Sequence, residues 1–152
     1  MSLEDLVVEK DVEKEKDTEV LASEILSRPP HLTIILKLAH KPLNAKRLVR
    51  MRNYHESTMY LVLKKLRQAG IVEAKTPSLD KRKKYYTLTN KGREIVKRIK
   101  ELITTWLEHE MALSFGTVEE LQTIIEKNLK VPAEYVIAVL DTEFIRKIIK
   151  VK

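Results

Sequence analysis

Three observations predict a mainly α-helical chain carrying one small β-hairpin. Glycine and proline are scarce, three and five in 152 residues, which suits long helices with few loops. Apolar residues recur at i, i+3, i+4 and i+7 through most of the chain, the period of an amphipathic helix. Between Gly70 and Gly92 that period gives way to two short strand-like runs. They are separated by Pro77-Ser78-Leu79-Asp80 and a run of cations, the pattern of strand, turn and strand. The length fits one domain with its own core. At 43% hydrophobic and 34% charged residues, the chain should fold beneath a heavily charged surface.

Residues 3–16 mix acids and bases around Leu3, Leu6, Val7, Val8 and Val12, and read either as a solvated helix or as a frayed tail. From Asp17 the pattern firms. Val20, Leu21, Ile25 and Leu26 recur at helical spacing, with Asp17 or Thr18 as a cap. Pro29-Pro30 is expected to end that helix. His31 to His40 forms the next, apolar all round and therefore expected at the centre of the domain. After Pro42-Leu43, Asn44 caps a helix running to about Met51, with Leu48 and Val49 facing inward. Arg52-Asn53-Tyr54-His55 is the turn.

A helix follows from about Glu56 to Ala69. Met59, Val62, Leu63 and Leu66 form one apolar stripe, leaving Ser57, Thr58, Tyr60, Leu61, Lys64 and Lys65 for the other face. Gly70 closes it in the left-handed conformation. Ile71-Val72 opens one strand, Lys84 to Leu88 is the returning one, and Thr89 caps a long helix from about Asn90 to Leu113. Its stripe is Ile95, Ile99, Leu102, Ile103, Trp106, Leu107 and Leu113, and Trp106 is expected in the core or in an interface between subunits. Gly116 interrupts. Thr117-Val118-Glu119-Glu120 resembles a capping box ahead of Leu121, Ile124, Ile125 and Leu129. Pro132 begins a further helix through Leu140, although Tyr135–Leu140 would also suit a strand. Asp141 or Thr142 begins the last helix, through Ile149.

Charge is not spread evenly. Residues 29–100 hold 19 of the 29 Lys and Arg against four acids, a net +15, while residues 1–28 carry −5 and residues 101–152 carry −3. A cationic block of this size between acidic ends is the footprint of a polyanion partner, most simply nucleic acid.

Helix, tight turn, helix and basic hairpin is the order of a winged helix-turn-helix. An α-helix fits the major groove, and side chains near its start reach base edges. Ser57, Thr58, Tyr60 and Leu61 are the candidates for base contact, and Lys64 and Lys65 for phosphates. Asn44, Lys46, Arg47 and Arg52 on the preceding helix and turn are candidate backbone contacts. Lys81, Arg82, Lys83 and Lys84 are the candidate wing contacts.

This stretch resembles the MarR family of winged-helix transcriptional regulators, with PadR-like regulators close behind. Ser57-Thr58-Met59-Tyr60 is similar to the start of such a recognition helix, and Leu66-Arg67-Gln68-Ala69-Gly70-Ile71-Val72 to the residues that follow it. Asp80-Lys81-Arg82-Lys83 resembles the family's wing, with Lys81 where arginine is usual, and Leu88-Thr89-Asn90-Lys91-Gly92 resembles the strand exit. The resemblance spans roughly residues 30–110. It implies a homodimer with interleaved terminal helices, wings that enter the minor groove, and regulation by occupying an operator. It leaves room for a small-molecule effector that the sequence does not identify. The expected division is an acidic segment and dimerisation helix over 1–28, a DNA-binding region over 29–92, and a helical dimerisation region over 93–152. The apolar stripes of the terminal segments, wider than a winged helix needs, point the same way.

Catalysis finds no support. The four histidines show no paired ligand spacing, cysteine is absent, and the glycines are too isolated for a phosphate loop, so neither a metal nor a cofactor is expected. With no signal-like N-terminus and no apolar run near ~18 residues, no membrane partner is expected and the cytoplasm is the expected location. A nonspecific architectural DNA-binding protein and a winged-helix module of a larger transcription or replication complex are the alternatives.

Overall fold

The computed structural model describes residues 18–77, 83–110 and 116–149. The reading of residues 3–16, the wing residues Lys81 and Arg82, and the expected end of the long helix at Leu113 lie outside them.

Helix α1 covers residues 18–26 and buries Ala22 and Ile25. Val20, expected on its apolar face, is instead 52% exposed, because that face turns toward Ala22. Pro29 and Pro30 do not end α1 but open α2 (Pro29–His40). Proline is suited to the first helical turn, where its missing N–H has no intrahelical partner to lose. Helix α1 ends just before, where the Arg28 N–H donates to the Ile25 carbonyl at 3.0 Å. Leu32 to Leu38 are all buried, so α2 is the central helix, as its apolarity on all sides predicts. Thr33 is accommodated there by donating its hydroxyl to the Pro29 carbonyl at 2.7 Å.

Helix α3 (Ala45–Val49) is shorter than its sequence suggests. Asn44 caps it, its Oδ1 accepting from the Arg47 N–H at 2.9 Å, and Leu48 and Val49 are fully buried. The chain then reverses through Met51–Tyr54, which pair as an isolated antiparallel bridge with Arg52 and Asn53 at the tip.

Helix α4 (Glu56–Gln68) buries Met59, Val62, Leu63 and Leu66, the four positions of its predicted stripe. It ends in a Schellman motif: the Ile71 N–H donates to the Leu66 carbonyl and the Gly70 N–H to the Arg67 carbonyl, both at 3.0 Å. Gly70 takes φ +75°, which glycine adopts without strain.

Strands β1 (Val72–Lys75) and β2 (Tyr85–Leu88) pair antiparallel with Val72 opposite Leu88 and Lys75 opposite Tyr85. Leu43 joins the outer side of β2 through an isolated bridge to Tyr86, a pairing the sequence does not announce. Thr89 fastens the hairpin's exit: its hydroxyl accepts from the Gly92 N–H at 3.0 Å and lies against the Gly70 and Ile71 carbonyls.

Helix α5 (Asn90–Glu110) buries Gly92, Ile95, Ile99, Ile103 and Leu107 along one line. At about 1.5 Å per residue it spans roughly 30 Å. Helix α6 (Val118–Leu129) starts with the Thr117 Oγ1 accepting from the Glu120 N–H at 3.1 Å. Helix α7 (Ala133–Ile137) settles the helix-or-strand ambiguity at Tyr135 in favour of helix, with Pro132 as its N-cap rather than its first residue. Helix α8 (Thr142–Ile148) runs back until Ile149 bridges to Gly116. Exposed ion pairs link these parts: Arg98 with Glu19 at 3.1 Å, and Lys100 with Asp141 at 2.7 Å. At such exposure they set orientation more than stability.

Candidate nucleic-acid interface

Burying the apolar stripe of α4 turns its opposite face to solvent. Ser57, Thr58, Lys64 and Lys65 are all exposed, with Tyr60 at 44% and Leu61 at 59%. A single exposed leucine is ordinary. Here it stands in the first half of the helix beside two hydroxyls and a phenol, a mixed polar and apolar surface of the kind that meets base edges and thymine methyls. Nothing in the apolar core would allow α4 to rotate this face inward, since Met59 is fully buried and Leu63 and Leu66 nearly so.

The cations around it come from separate elements. Lys46, Arg47 and Arg52 are exposed on α3 and its following turn, and Lys83 and Lys84 are exposed just ahead of the returning strand, which begins at Tyr85 rather than at Lys84. Asn44 is a candidate both for capping α3 and for gripping the DNA backbone. Its Oδ1 is taken by the Arg47 N–H, which leaves its amide nitrogen for any further partner.

These residues do not all share one surface groove. Lys64 borders a groove of about 460 Å3 with Arg67, Gln68, Val72, Glu73 and Ala74, between α4 and the hairpin. Arg47 borders a different crevice of about 370 Å3, beneath α7, with Lys37, His40, Lys41, Glu134 and Tyr135.

Two further cations carry no clear mark in the sequence. Arg67 places its guanidinium 5.7 Å from the centre of the Tyr86 ring, tying α4 to the hairpin. Lys37 is the more unusual. It sits in the apolar run of α2, is only 8% exposed, and donates to the carbonyls of Arg47 at 3.1 Å and Arg50 at 3.3 Å. Its ammonium also lies 5.4 Å from the Tyr135 ring. Burial pulls the Lys37 pKa below that of an ordinary lysine, while the Glu134 carboxylate works in the opposite direction. The one available signal is a lone lysine in an otherwise apolar helix.

Electropositive character also shows at His31. Burial first, then the charges of Arg28 and Lys65, hold its imidazole below the ordinary 6.5. Lys65 belongs to the exposed face of α4, so the first turn of α2 feels the field of that helix. Among the described residues no group of three or more His, Asp or Glu could hold a metal ion, and no helix is long and apolar enough to cross a membrane.

Known proteins share this fold. The sequence model of the transcriptional regulator PadR-like family matches residues 44–98, from the Asn44 cap through the hairpin into α5. No curated protein sequence matches the chain. Among solved structures, a MarR family transcriptional regulator from Silicibacter pomeroyi is 25% identical, with a TM-score of 0.52 over 80% of each chain. The transcriptional regulator BldR from Sulfolobus solfataricus is 21% identical, with a TM-score of 0.51 over 86% of this chain and 99% of that one. A transcriptional regulator from Thermotoga maritima shares the fold at 18% identity and a TM-score of 0.51, over 82% of this chain and 98% of that one. The chain thus carries a winged helix of the PadR-like and MarR-like type, mainly helical with a two-stranded wing.

Proposed function

We propose that this protein is a transcriptional regulator that binds duplex DNA sequence-specifically, as a homodimer, and acts by occupying its operator. The observation that carries the reading is the outward face of α4. Ser57, Thr58, Tyr60 and Leu61 are exposed on its first half, and exposed cations stand on α3, on the turn after it and just ahead of β2. A helix so presented reads the major groove, while cations on neighbouring elements hold the phosphates and set its register. The PadR-like match over residues 44–98 supports the same use of this unit.

The terminal segments support the dimer. Val20 on α1 and Val118 on α6 are 52% and 44% exposed, and Leu102, Trp106, Phe144 and Ile145 are only partly covered within one chain. Residues 1–28 and 93–152 are therefore assigned to dimerisation and residues 29–92 to DNA. Two-fold symmetry then calls for a pseudo-palindromic site with half-sites about one helical turn apart.

Selection of bound duplexes from a random pool, with the mass of the free protein measured in solution, tests both parts. A palindromic consensus and a dimer mass are expected. Binding without any consensus would leave only a nonspecific architectural role, and a monomer that binds no duplex would favour an interaction module.

A further inference from the structure

The buried Lys37 has no place in the reading above: it is 8% exposed and its ammonium is engaged by backbone carbonyls. Its ammonium is covered, yet it joins three elements. It rises from α2 and donates to the carbonyls of Arg47 and Arg50, at the C-terminal end of α3. The ring of Tyr135, on α7, covers another side at 5.4 Å. Helix α3 has five residues, so its last carbonyls lack intrahelical donors and need them from elsewhere. A cation is the favoured donor at that end of a helix. Arg50 lies directly before the Met51–Tyr54 reversal, and that reversal delivers the chain to Glu56, the first residue of α4. The position of the outward-facing helix is thereby connected to a residue of the C-terminal segment through one side chain.

We infer that Lys37 is a positioning residue for the DNA-contacting unit, and that Tyr135 acts on DNA affinity through it by covering its ammonium. This rests on the proposed DNA-binding function. An ammonium has three N–H groups, and two are accounted for by the Arg47 and Arg50 carbonyls. The Tyr135 ring lies 5.4 Å from the same ammonium, and Tyr135 and Glu134 border the crevice beneath α7 alongside Lys37. If α7 moves away, water reaches the ammonium and competes with its bonds to α3. The arrangement makes the C-terminal segment part of what sets the α3–α4 turn, although none of its residues need touch DNA.

The test uses the full chain and a duplex recovered by selection. Lys37→Met keeps the length and the apolar stem but removes the donor. It is expected to retain the helical circular-dichroism spectrum while binding duplex about 10-fold more weakly, with the slope of log K against log salt unchanged, since every phosphate-binding cation remains in place. Tyr135→Leu should act in the same direction and more weakly, and Tyr135→Phe should behave as the parent. The double variant should bind no worse than Lys37→Met alone, because Tyr135 acts only through Lys37. Parental affinity in folded Lys37→Met overturns the inference. So does additivity in the double variant, and so does a shallower salt slope, which would make Lys37 a direct phosphate contact. If Lys37→Met fails to fold, Tyr135→Leu decides on affinity and slope. If the parent binds no duplex, the DNA reading itself fails. The positioning of the turn is then read by amide hydrogen exchange at residues 50–55, where faster exchange in Tyr135→Leu supports it and unchanged exchange overturns it.

Discussion

Leu43 and Tyr86 exchange both of their backbone hydrogen bonds, the Tyr86 N–H to the Leu43 carbonyl at 2.7 Å and the Leu43 N–H to the Tyr86 carbonyl at 3.2 Å. Leu43 directly precedes the Asn44 cap of α3, so the hairpin is fastened to the entry of the helix-turn-helix. The Tyr86 side chain is 8% exposed and packs beneath Arg67. Tyr86→Ala should destabilise the fold by roughly 3 kcal/mol, the usual scale for removing a buried aromatic ring. Denaturant unfolding measures this. A loss below about 1 kcal/mol would show that the ring does not anchor the hairpin.

The hairpin cations should act on DNA through charge alone. Lys83 and Lys84 are exposed, so replacing both by alanine should leave the thermal midpoint unchanged. Each phosphate interaction removed should lower the salt slope by about 0.9, and affinity should fall alike for selected and random duplexes. A double variant with the parental slope would remove these two lysines from the interface.

The first half of α4 should govern choice rather than grip. Ser57→Ala combined with Thr58→Ala removes two exposed hydroxyls without touching the buried stripe. Discrimination between the selected duplex and random competitor should shrink by about 1–3 kcal/mol for each base that a hydroxyl reads, measured by competition titration. Uniform weakening with discrimination intact would place these hydroxyls on the backbone instead.

Gly92 and Gly70 are needed for different reasons. A methyl group on Gly92 would collide with the Ile71 carbonyl oxygen, a backbone atom fixed by the Thr89 N–H at 3.0 Å. Gly70 has open space around it but takes φ +75°. Gly92→Ala should destabilise by about 1–3 kcal/mol through forced displacement. Gly70→Ala should cost about 1–2 kcal/mol through the left-handed backbone alone. Gly70→Asn should recover part of the latter loss, since Asn tolerates that conformation. A full loss in Gly70→Asn, measured by unfolding, would contradict the backbone explanation.

The His31 imidazole should make stability fall with acidification. Its folded pKa lies below the ordinary 6.5, so the unfolded chain binds the proton more readily. Its contribution is fully present above pH 6.5 and is lost as pH falls through and below that value. In His31→Gln the thermal midpoint should vary less with pH below 6.5 than in the parent. Equal slopes in the two proteins would mean that other groups carry the acid sensitivity.

Much of the architecture is legible without coordinates, because its signals are local. The stripe of Met59, Val62, Leu63 and Leu66 repeats with the helical period, Gly70 marks a helix end, and Asn44 and Thr117 mark helix starts. The same local rules mislead at Pro29-Pro30. A proline pair is compatible with the end of one helix and the start of the next, and only the burial of Leu32 at its required place chooses between them. The candidate DNA-binding residues are legible as residue types at positions on a helix. That Arg47 borders the crevice beneath α7 while Lys64 borders the groove beside the hairpin is not.

By itself, the sequence determined the helical periods, the caps, the hairpin and the cationic middle of the chain, since each depends on neighbours within a few residues or on composition. Tertiary structure alone decided that Leu43 pairs with Tyr86, that Val20 faces outward, and that Lys37 turns inward to the carbonyls of α3. A lysine in an apolar helix carries no mark of its partners. Those partners are backbone oxygens ten and thirteen residues away and an aromatic ring from the far end of the chain, brought within reach only when α2, α3 and α7 pack together.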